Sequence, residues 1–407
     1  MASGTQTWSR RKLLRFTAVT VGLLLLLAEG LGRIVFLLKF RGLGTSVYVQ
    51  GSPIQEADSV SVYNNRAFYV DFEKRFQYNE QGMRSACGDY RMPLKKEGDL
   101  WVLLLGGSAM EGMGSNKDGS WFDMTNIPDH PYTETIAFYL EGVLRRKYPG
   151  KRVRVFNAAV SGFTLEQGIS KYRKLSKQYD FDWVISMDGV NECDTLEAGG
   201  PEAEKAYSRA YWASMPFHQF PLSWIVPITQ HSAFFNLLKQ TLYGVRMRAR
   251  IKRNEVDGPA LRASWAARAP LPLTADPGDE RVRRSAEFFL REEREFAGSL
   301  DVQGKHYLLL VQPYLAFRDS VVSGPEETAL GHYWREKMND GYKYAFLKQV
   351  YEGIDTGSLH IQTMLGVGKW PGWVFVDYCH FTRAANERIA GELADFIVAD
   401  GKMPIFK

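Results

Sequence analysis

Short apolar runs alternate along most of the chain with longer stretches in which apolar residues recur every three or four positions. The runs predict five strands, at residues 100–105, 152–156, 181–187, 305–311 and 373–376. The stretches predict helices, including residues 133–148, 164–178, 281–300 and 384–399. Because strands that alternate with helices are typical of a doubly wound α/β domain, we predict a five-stranded parallel sheet covered by helices.

A basic segment and a long apolar stretch open the chain. Residues 1–12 are polar and basic, and residues 13–38 are mostly apolar but contain Arg15, Glu29 and Arg33. A spanning helix needs roughly 20 apolar residues, and Glu29 and Arg33 stand four positions apart, where they can pair on a helix. We predict an uncleaved transmembrane anchor with a cytoplasmic N-terminus and the remaining chain on the extracytoplasmic side, periplasmic or extracellular. A cleaved export signal is the alternative, and it also exports the domain.

The chain divides into three predicted parts. Residues 1–40 form the basic flank and the anchor (or export signal), residues 41–98 a lead-in segment, and residues 99–407 the α/β domain. The alternation of strands and helices stops at about residues 194–281, which we interpret as an insertion. The insertion contains an amphipathic helix, predicted at residues 230–253, that becomes basic. Its cations either face solvent or contact an anionic lipid or acidic polymer.

Charge and cysteine content exclude several classes of protein. The chain has 51 Lys and Arg against 46 Asp and Glu, and four of the cations lie in the N-terminal flank. The remainder is close to neutral, so nothing indicates a nucleic-acid partner. Cys87, Cys193 and Cys379 form no Cys-x-x-Cys pair, so we predict no zinc or thioredoxin-type site and no cofactor. A disulfide between Cys193 and Cys379 is a hypothesis.

The first predicted strand ends abruptly in Gly106-Gly107, and Ser108 follows. Open α/β sheets place their chemistry at the carboxyl ends of strands, which makes Ser108 the candidate nucleophile rather than a plain turn serine. A serine hydroxyl needs a base. His380 alone among the seven histidines follows a predicted strand end with an acid, Asp377, three residues upstream. We predict that His380 takes the proton of Ser108 while Asp377 orients the ring and stabilises the imidazolium.

An oxyanion formed at Ser108 also needs hydrogen-bond donors, each worth on the order of 3 kcal/mol. The backbone N–H of Ser108 is the first candidate. The N–H of Gly162, which follows the second predicted strand, is the second candidate. The side-chain amide of Asn191, which follows the third strand, is the third. Taken singly, Gly162 and Asn191 are ordinary turn residues, but all three donors follow strands whose carboxyl ends meet at one edge.

In sequence order, these motifs are Gly-Gly-Ser108, Gly162, Gly-Val-Asn191 and Asp377-x-x-His380. The chain thereby resembles the SGNH hydrolase superfamily, also called GDSL-like. The resemblance implies a three-layer α/β/α domain of the flavodoxin-like kind. It also implies a serine esterase mechanism without a metal, and acyl-ester substrates.

The resemblance covers about residues 98–195 and 303–400. Two positions depart from the family, because Gly107 and Glu192 stand where it usually has Asp. Neither change removes a nucleophile, base or donor. The sequence matches the α/β-hydrolase family less well. That family has a Gly-x-Ser-x-Gly motif around its nucleophile, and here Met110 stands where the second Gly is needed.

The predicted function is therefore an exported, membrane-anchored serine esterase that hydrolyses short-chain, acetyl-like acyl esters. Its substrate is an acyl ester or an acylated saccharide. An O-acyltransferase that moves an acyl group to or from a saccharide is the alternative, because only the acceptor differs. A non-catalytic anchored scaffold that keeps the fold is a third interpretation.

Overall fold

The computed structural model of the chain describes most of the α/β domain and the N-terminal helix. The described residues are 9–39, 48–49, 55–59, 61–65, 67, 69–70, 77–86, 89, 91–113, 131–193, 208–210, 212–213, 219, 221–229, 232–267, 279–318, 322–338, 341–354, 360–401 and 405. Cys87 and part of the predicted insertion lie outside them.

A five-stranded parallel sheet forms the centre of the domain. Its strands are β1 (Leu100–Gly106), β2 (Val153–Asn157), β3 (Trp183–Asp188), β4 (His306–Val311) and β5 (Ile361–Thr363). The spatial order is β2-β1-β3-β4-β5, and each neighbouring pair is parallel. This is the flavodoxin-like order, so the predicted fold class is confirmed.

Helices cover both faces of the sheet. The helices of the whole chain that the structure describes, not all of which cover the sheet, are α1 (Arg10–Lys39), α2 (Ser108–Glu111), α3 (Ile136–Lys147), α4 (Leu165–Leu175), α5 (Leu222–Thr229), α6 (Ala233–Ala266), α7 (Glu280–Val302), α8 (Pro325–Met338), α9 (Gly341–Gly353) and α10 (Arg383–Val398). Short 3-10 turns occur at Tyr132–Glu134, Leu315–Phe317 and Leu365–Lys369. Before the sheet, Tyr48–Val49 pairs with Tyr69–Val70, and Gln55–Asp58 pairs with Val62–Asn65.

Each face of the sheet contributes to its own apolar core. In β1, Val102 and Leu104 belong to the core formed with α3 and α10. Leu103 and Leu105 point the other way and belong to the core formed with α4, α7 and α9. Successive residues of a strand face opposite sides, and a parallel sheet is buried on both, which explains the unbroken apolar run of β1.

The prediction of the fifth strand at residues 373–376 is wrong. The edge strand is Ile361–Thr363, and residues 373–376 form a loop beside the site. In that loop the carboxylate of Glu327 accepts the N–H groups of Val374 and Phe375, at 3.1 and 2.8 Å. Because a side chain satisfies these N–H groups, the apolar run does not join the sheet.

α1 covers the residues of the predicted anchor. It is long and apolar enough to cross a membrane and lies near the N-terminus, with very little of its surface buried. Arg33 donates to Glu29 at 2.9 Å, which is the ion pair predicted from their spacing.

α6 extends well beyond the helix predicted at residues 230–253, since it ends at Ala266 and contains Gly258-Pro259. Trp265 near its end is buried, and the carbonyl of Trp265 lies 3.1 Å from Nδ1 of His332 on α8. Gly258 and Pro259 disfavour a helix locally. The packing of Trp265 against the rest of the protein stabilises the helix beyond them.

Gly106 fits the end of β1 only as glycine. Its φ is +125°, and a Cβ there would lie 2.3 Å from the carbonyl oxygen of Met187 on β3. We expect Gly106→Ala to lower the free energy of unfolding by roughly 3–5 kcal/mol through strain and steric overlap. Denaturant unfolding of the full-length chain, followed by circular dichroism, measures this.

Gly391→Ala is the matched control. Gly391 lies inside α10, and a Cβ there would meet no atom within 4 Å. Alanine is a better helix former than glycine, so the free energy of unfolding of this variant should rise by about 0.5–1 kcal/mol. Equal stabilities for the two variants would contradict the close approach of β1 and β3.

Candidate active site

Ser108 is the first residue of α2, directly beyond the carboxyl end of β1. Gly106 pairs with Met187 of β3, and its positive φ turns the chain out of the sheet at Gly107. The Ser108 hydroxyl lies 2.7 Å from Nε2 of His380. The structure therefore brings the predicted nucleophile and the predicted base into hydrogen-bond contact.

Asp377 holds His380 through both of its carboxylate oxygens. Oδ2 lies 2.5 Å from Nδ1 of His380, while Oδ1 accepts the N–H groups of Cys379 and His380 at 2.8 and 2.6 Å. An ionised carboxylate only accepts, so Nδ1 carries the proton and donates. Nε2 is then left to accept the hydroxyl proton of Ser108.

The charges of Asp377 and His380 stabilise each other. Burial acts to lower the pKa of His380, but the nearby Asp377 charge and hydrogen bond raise it well above its ordinary value. Burial acts to raise the pKa of Asp377, but the His380 charge and the hydrogen bonds to the carboxylate lower it. Asp377 therefore stabilises the imidazolium of His380, which is the form reached once His380 has taken a proton from Ser108.

A buried ion pair supports the loop that carries Asp377 and His380. Besides the two N–H groups of the loop, Glu327 accepts the Nε proton of Arg318 at 2.9 Å, and both side chains are almost fully buried. Arg318 also donates to the carbonyl groups of Gly368 and Trp370 on the approach to the loop. Sequence reasoning missed both residues, because neither follows a strand or belongs to a motif.

The Asn191 amide and the Phe163 carbonyl lie against Gly107, the residue before Ser108. The Asn191 side-chain amide donates to the carbonyl of Phe163 at 2.7 Å, which leaves its second N–H available. The Asn191 Nδ2 atom lies 2.4 Å from where a Cβ on Gly107 would stand. Gly162 precedes Phe163 and has a φ of +80°. Within the described part of the chain, no hydrogen bond uses the N–H of Ser108 or of Gly162.

The two positions that depart from the SGNH pattern have local explanations. Gly107 leaves room for the Asn191 amide, which a side chain at this position would displace. Glu192 accepts the N–H of Gly189 and the N–H of Leu165, each at 2.7 Å. Its carboxylate thereby connects the turn after β3 to the first turn of α4.

The lead-in segment contributes a buried polar network behind Ser108. Glu111, the last residue of α2, accepts hydrogen bonds from Asn65 at 2.8 Å and from the hydroxyl of Tyr78. Burial raises the pKa of Glu111, although these hydrogen bonds and the charge of Arg84 act against it. Arg84 donates to the carbonyl of Glu111 at 2.6 Å. Sequence analysis assigned no role to these lead-in residues, because their positions follow no local pattern.

One cluster has the residue types of a metal site. Candidate ligand atoms of Asp377, Cys379 and His380 lie within 4.8 Å of one another. However, both ring nitrogens of His380 already contact Asp377 and Ser108, so neither is free for a metal. Cys193 and Cys379 are buried thiols, and the hypothesised disulfide between them is not formed.

Several solved structures of esterases are similar to this chain. An acetylxylan esterase from Geobacillus stearothermophilus is 14% identical, with 74% of this chain and 95% of that chain covered and a TM-score of 0.32. A carbohydrate acetylesterase from Sinorhizobium meliloti is 13% identical (74% and 99% covered, TM-score 0.31). The aryl esterase of M. smegmatis is 15% identical (74% and 99% covered, TM-score 0.34). No protein-family model matches the chain, and no curated protein matches it in sequence.

The ring of His380 is expected to titrate well above the ordinary histidine pKa of about 6.5. Asp377→Asn should move its pKa downward, because the neutral amide no longer stabilises the imidazolium. NMR of protein with ¹³C-labelled histidine, recorded across pH, measures the midpoint without depending on activity. An identical midpoint in wild type and Asp377→Asn would contradict the contact between the two residues.

Proposed function

We propose that this chain is a membrane-anchored serine esterase that cleaves short-chain, acetyl-like acyl esters. The observation that carries the proposal is the continuous contact from Ser108 Oγ to His380 Nε2 (2.7 Å) and from His380 Nδ1 to Asp377 Oδ2 (2.5 Å). A serine hydroxyl becomes a useful nucleophile only beside such a base, and a base of this kind needs a group that orients it.

In the proposed reaction, His380 removes the hydroxyl proton as Ser108 Oγ attacks the ester carbonyl. The oxyanion is stabilised by the N–H groups of Ser108 and Gly162 and by the amide of Asn191. Collapse of this intermediate gives an acyl-serine, and the alcohol leaves with the proton from His380. Water then attacks the acyl group with His380 again as the base, which releases the acid and restores Ser108.

The proposed location of the enzyme is supported by α1. This helix is long and apolar enough to span a bilayer, and a basic segment precedes it. Such a flank favours a cytoplasmic N-terminus, which supports an extracytoplasmic position for the α/β domain.

Transfer of the acyl group to a saccharide hydroxyl uses the same residues, with the sugar in place of water. An assay that detects both free acid and acylated sugar therefore measures hydrolysis and transfer together. The fraction of acyl groups found on the added saccharide distinguishes the two activities.

Ser108→Ala should abolish hydrolysis of p-nitrophenyl acetate and butyrate, with a loss of roughly 10⁴-fold or more in kcat, because no acyl-enzyme can form. The full-length protein in detergent is assayed by release of p-nitrophenol. Ser161→Ala is the matched control, since the Ser161 carbonyl, rather than its hydroxyl, accepts hydrogen bonds from Gln55 and Tyr63. Equal activity of wild type and Ser108→Ala would rule out this serine as the nucleophile.

Asn191→Ala should lower kcat by about 10²- to 10³-fold with little change in KM, because an oxyanion donor acts mainly in the transition state. Gly107→Ala should also lower kcat, since its Cβ would occupy the position of the Asn191 amide. Steady-state kinetics on p-nitrophenyl acetate separate the two constants. A rise in KM at constant kcat would instead assign Asn191 to substrate binding.

A further inference from the structure

Apolar side chains are exposed on α5 and on the first turns of α6. Trp224 and Ile225 on α5 are 72% and 45% exposed, and Leu238, Leu242 and Val245 on α6 are 44%, 52% and 55% exposed. The three residues of α6 follow one another at spacings of four and three, so they share one face of the helix. These five residues are called the apolar surface below. An exposed surface of this kind marks an interaction site.

The start of α6 is fixed against α1. The carboxylate of Glu29 accepts the hydroxyl of Ser232 at 2.6 Å and the N–H groups of Ala233 and Phe234 at 3.2 Å each. One turn further along α1, a Cβ on Gly32 would lie 2.9 Å from the nitrogen of Phe234. A carboxylate at a helix N-terminus satisfies N–H groups that otherwise have no partner. α6, which carries three residues of the apolar surface, therefore begins against α1, and Lys239 of α6 donates to the Thr229 hydroxyl at the end of α5 at 2.9 Å.

The contact with α6 falls within membrane depth. From Leu13 to Glu29, α1 rises by about 24 Å, which is less than the roughly 30 Å of a bilayer's hydrocarbon core. The hydrocarbon must then extend past Glu29. The apolar residues of α1 beyond this point are between 41% and 61% exposed: Leu31, Ile34, Val35, Leu37 and Leu38. The start of α6 thus lies where the bilayer meets the extracytoplasmic side.

Basic residues follow the apolar surface directly. Residues 246–253 contain five cations, and the side chains of Arg248 and Lys252 are exposed. A helix that is apolar at one end and basic in the adjoining turns matches the boundary between acyl chains and anionic headgroups.

We propose that the apolar surface of α5 and α6 lies in the extracytoplasmic leaflet beside α1, with Arg248 and Lys252 at anionic headgroups. The protein then contacts the bilayer at two places, and the insertion forms the second contact. This inference rests on the proposed anchor and does not depend on esterase activity.

The depth of Trp224 tests the proposal. Full-length protein is reconstituted into vesicles of phosphatidylcholine and phosphatidylglycerol whose acyl chains carry bromine, which quenches nearby tryptophan. The emission of wild type minus that of Trp224→Phe isolates the signal of Trp224. Roughly half or more of this signal should be lost relative to vesicles of the same lipids without bromine, because the indole sits among the acyl chains.

Two further variants test whether the quenching of Trp224 depends on the apolar surface. Leu242→Glu places a charge within the apolar surface and should reduce the quenching of Trp224. Leu94→Glu is the control, since Leu94 is 86% exposed but lies in the lead-in segment, outside the apolar surface. Hydrolysis of p-nitrophenyl acetate should be unchanged in both, because neither residue contacts the site.

Flotation of the vesicles measures whether the protein is bound to the membrane at all, independently of the depth of Trp224. Protein that floats with the vesicles while its Trp224 signal is unquenched overturns the second contact and leaves the anchor intact. Protein that does not float overturns both. An inactive protein with a quenched Trp224 supports the membrane contact and counts against the esterase alone.

Discussion

The position of Ser108 depends on how closely β1 approaches β3 at their carboxyl ends. At Gly106 the distance to the Met187 carbonyl leaves no room for a Cβ, and the chain can turn out of the sheet only through a positive φ. This contact brings Ser108 into line with the turns that carry Gly162 and Asn191. Backbone packing at this edge thus positions Ser108 and the turn of Gly162, and the Asn191 side chain completes the proposed set of donors.

Much of the fold and of the site could be predicted because both depend on local patterns. Four of the five strands are close to their predicted positions, and Ser108, Gly162 and Asn191 follow three of them. Since carboxyl ends of parallel strands meet, their convergence follows from the topology. The contact between Asp377 and His380 follows from their spacing within one loop. The fifth strand was misplaced because residues 373–376 are apolar, whereas β5 is only three residues long.

The support around the site could not be predicted, because it depends on contacts between residues far apart in sequence. Glu327 reaches the loop before Asp377 from α8, and Asn65 and Tyr78 reach Glu111 from the lead-in segment. Each pairing satisfies a buried polar group, and no periodicity or turn signal identifies the partner. The length of α6 was underestimated for a related reason, since packing around Trp265 extends the helix past Gly258-Pro259.

The loop that carries His380 has a distinct local stability. Backbone hydrogen bonds from Val376 to His380 and from Thr382 to Val374 close the loop, and the buried pair of Glu327 and Arg318 supports it from outside. Regions of a protein open with their own free energies, often well below that of global unfolding. When this loop opens, His380 separates from Ser108 while the sheet stays folded. On heating, we expect the contact between His380 and Ser108 to be lost at a lower temperature than the secondary structure.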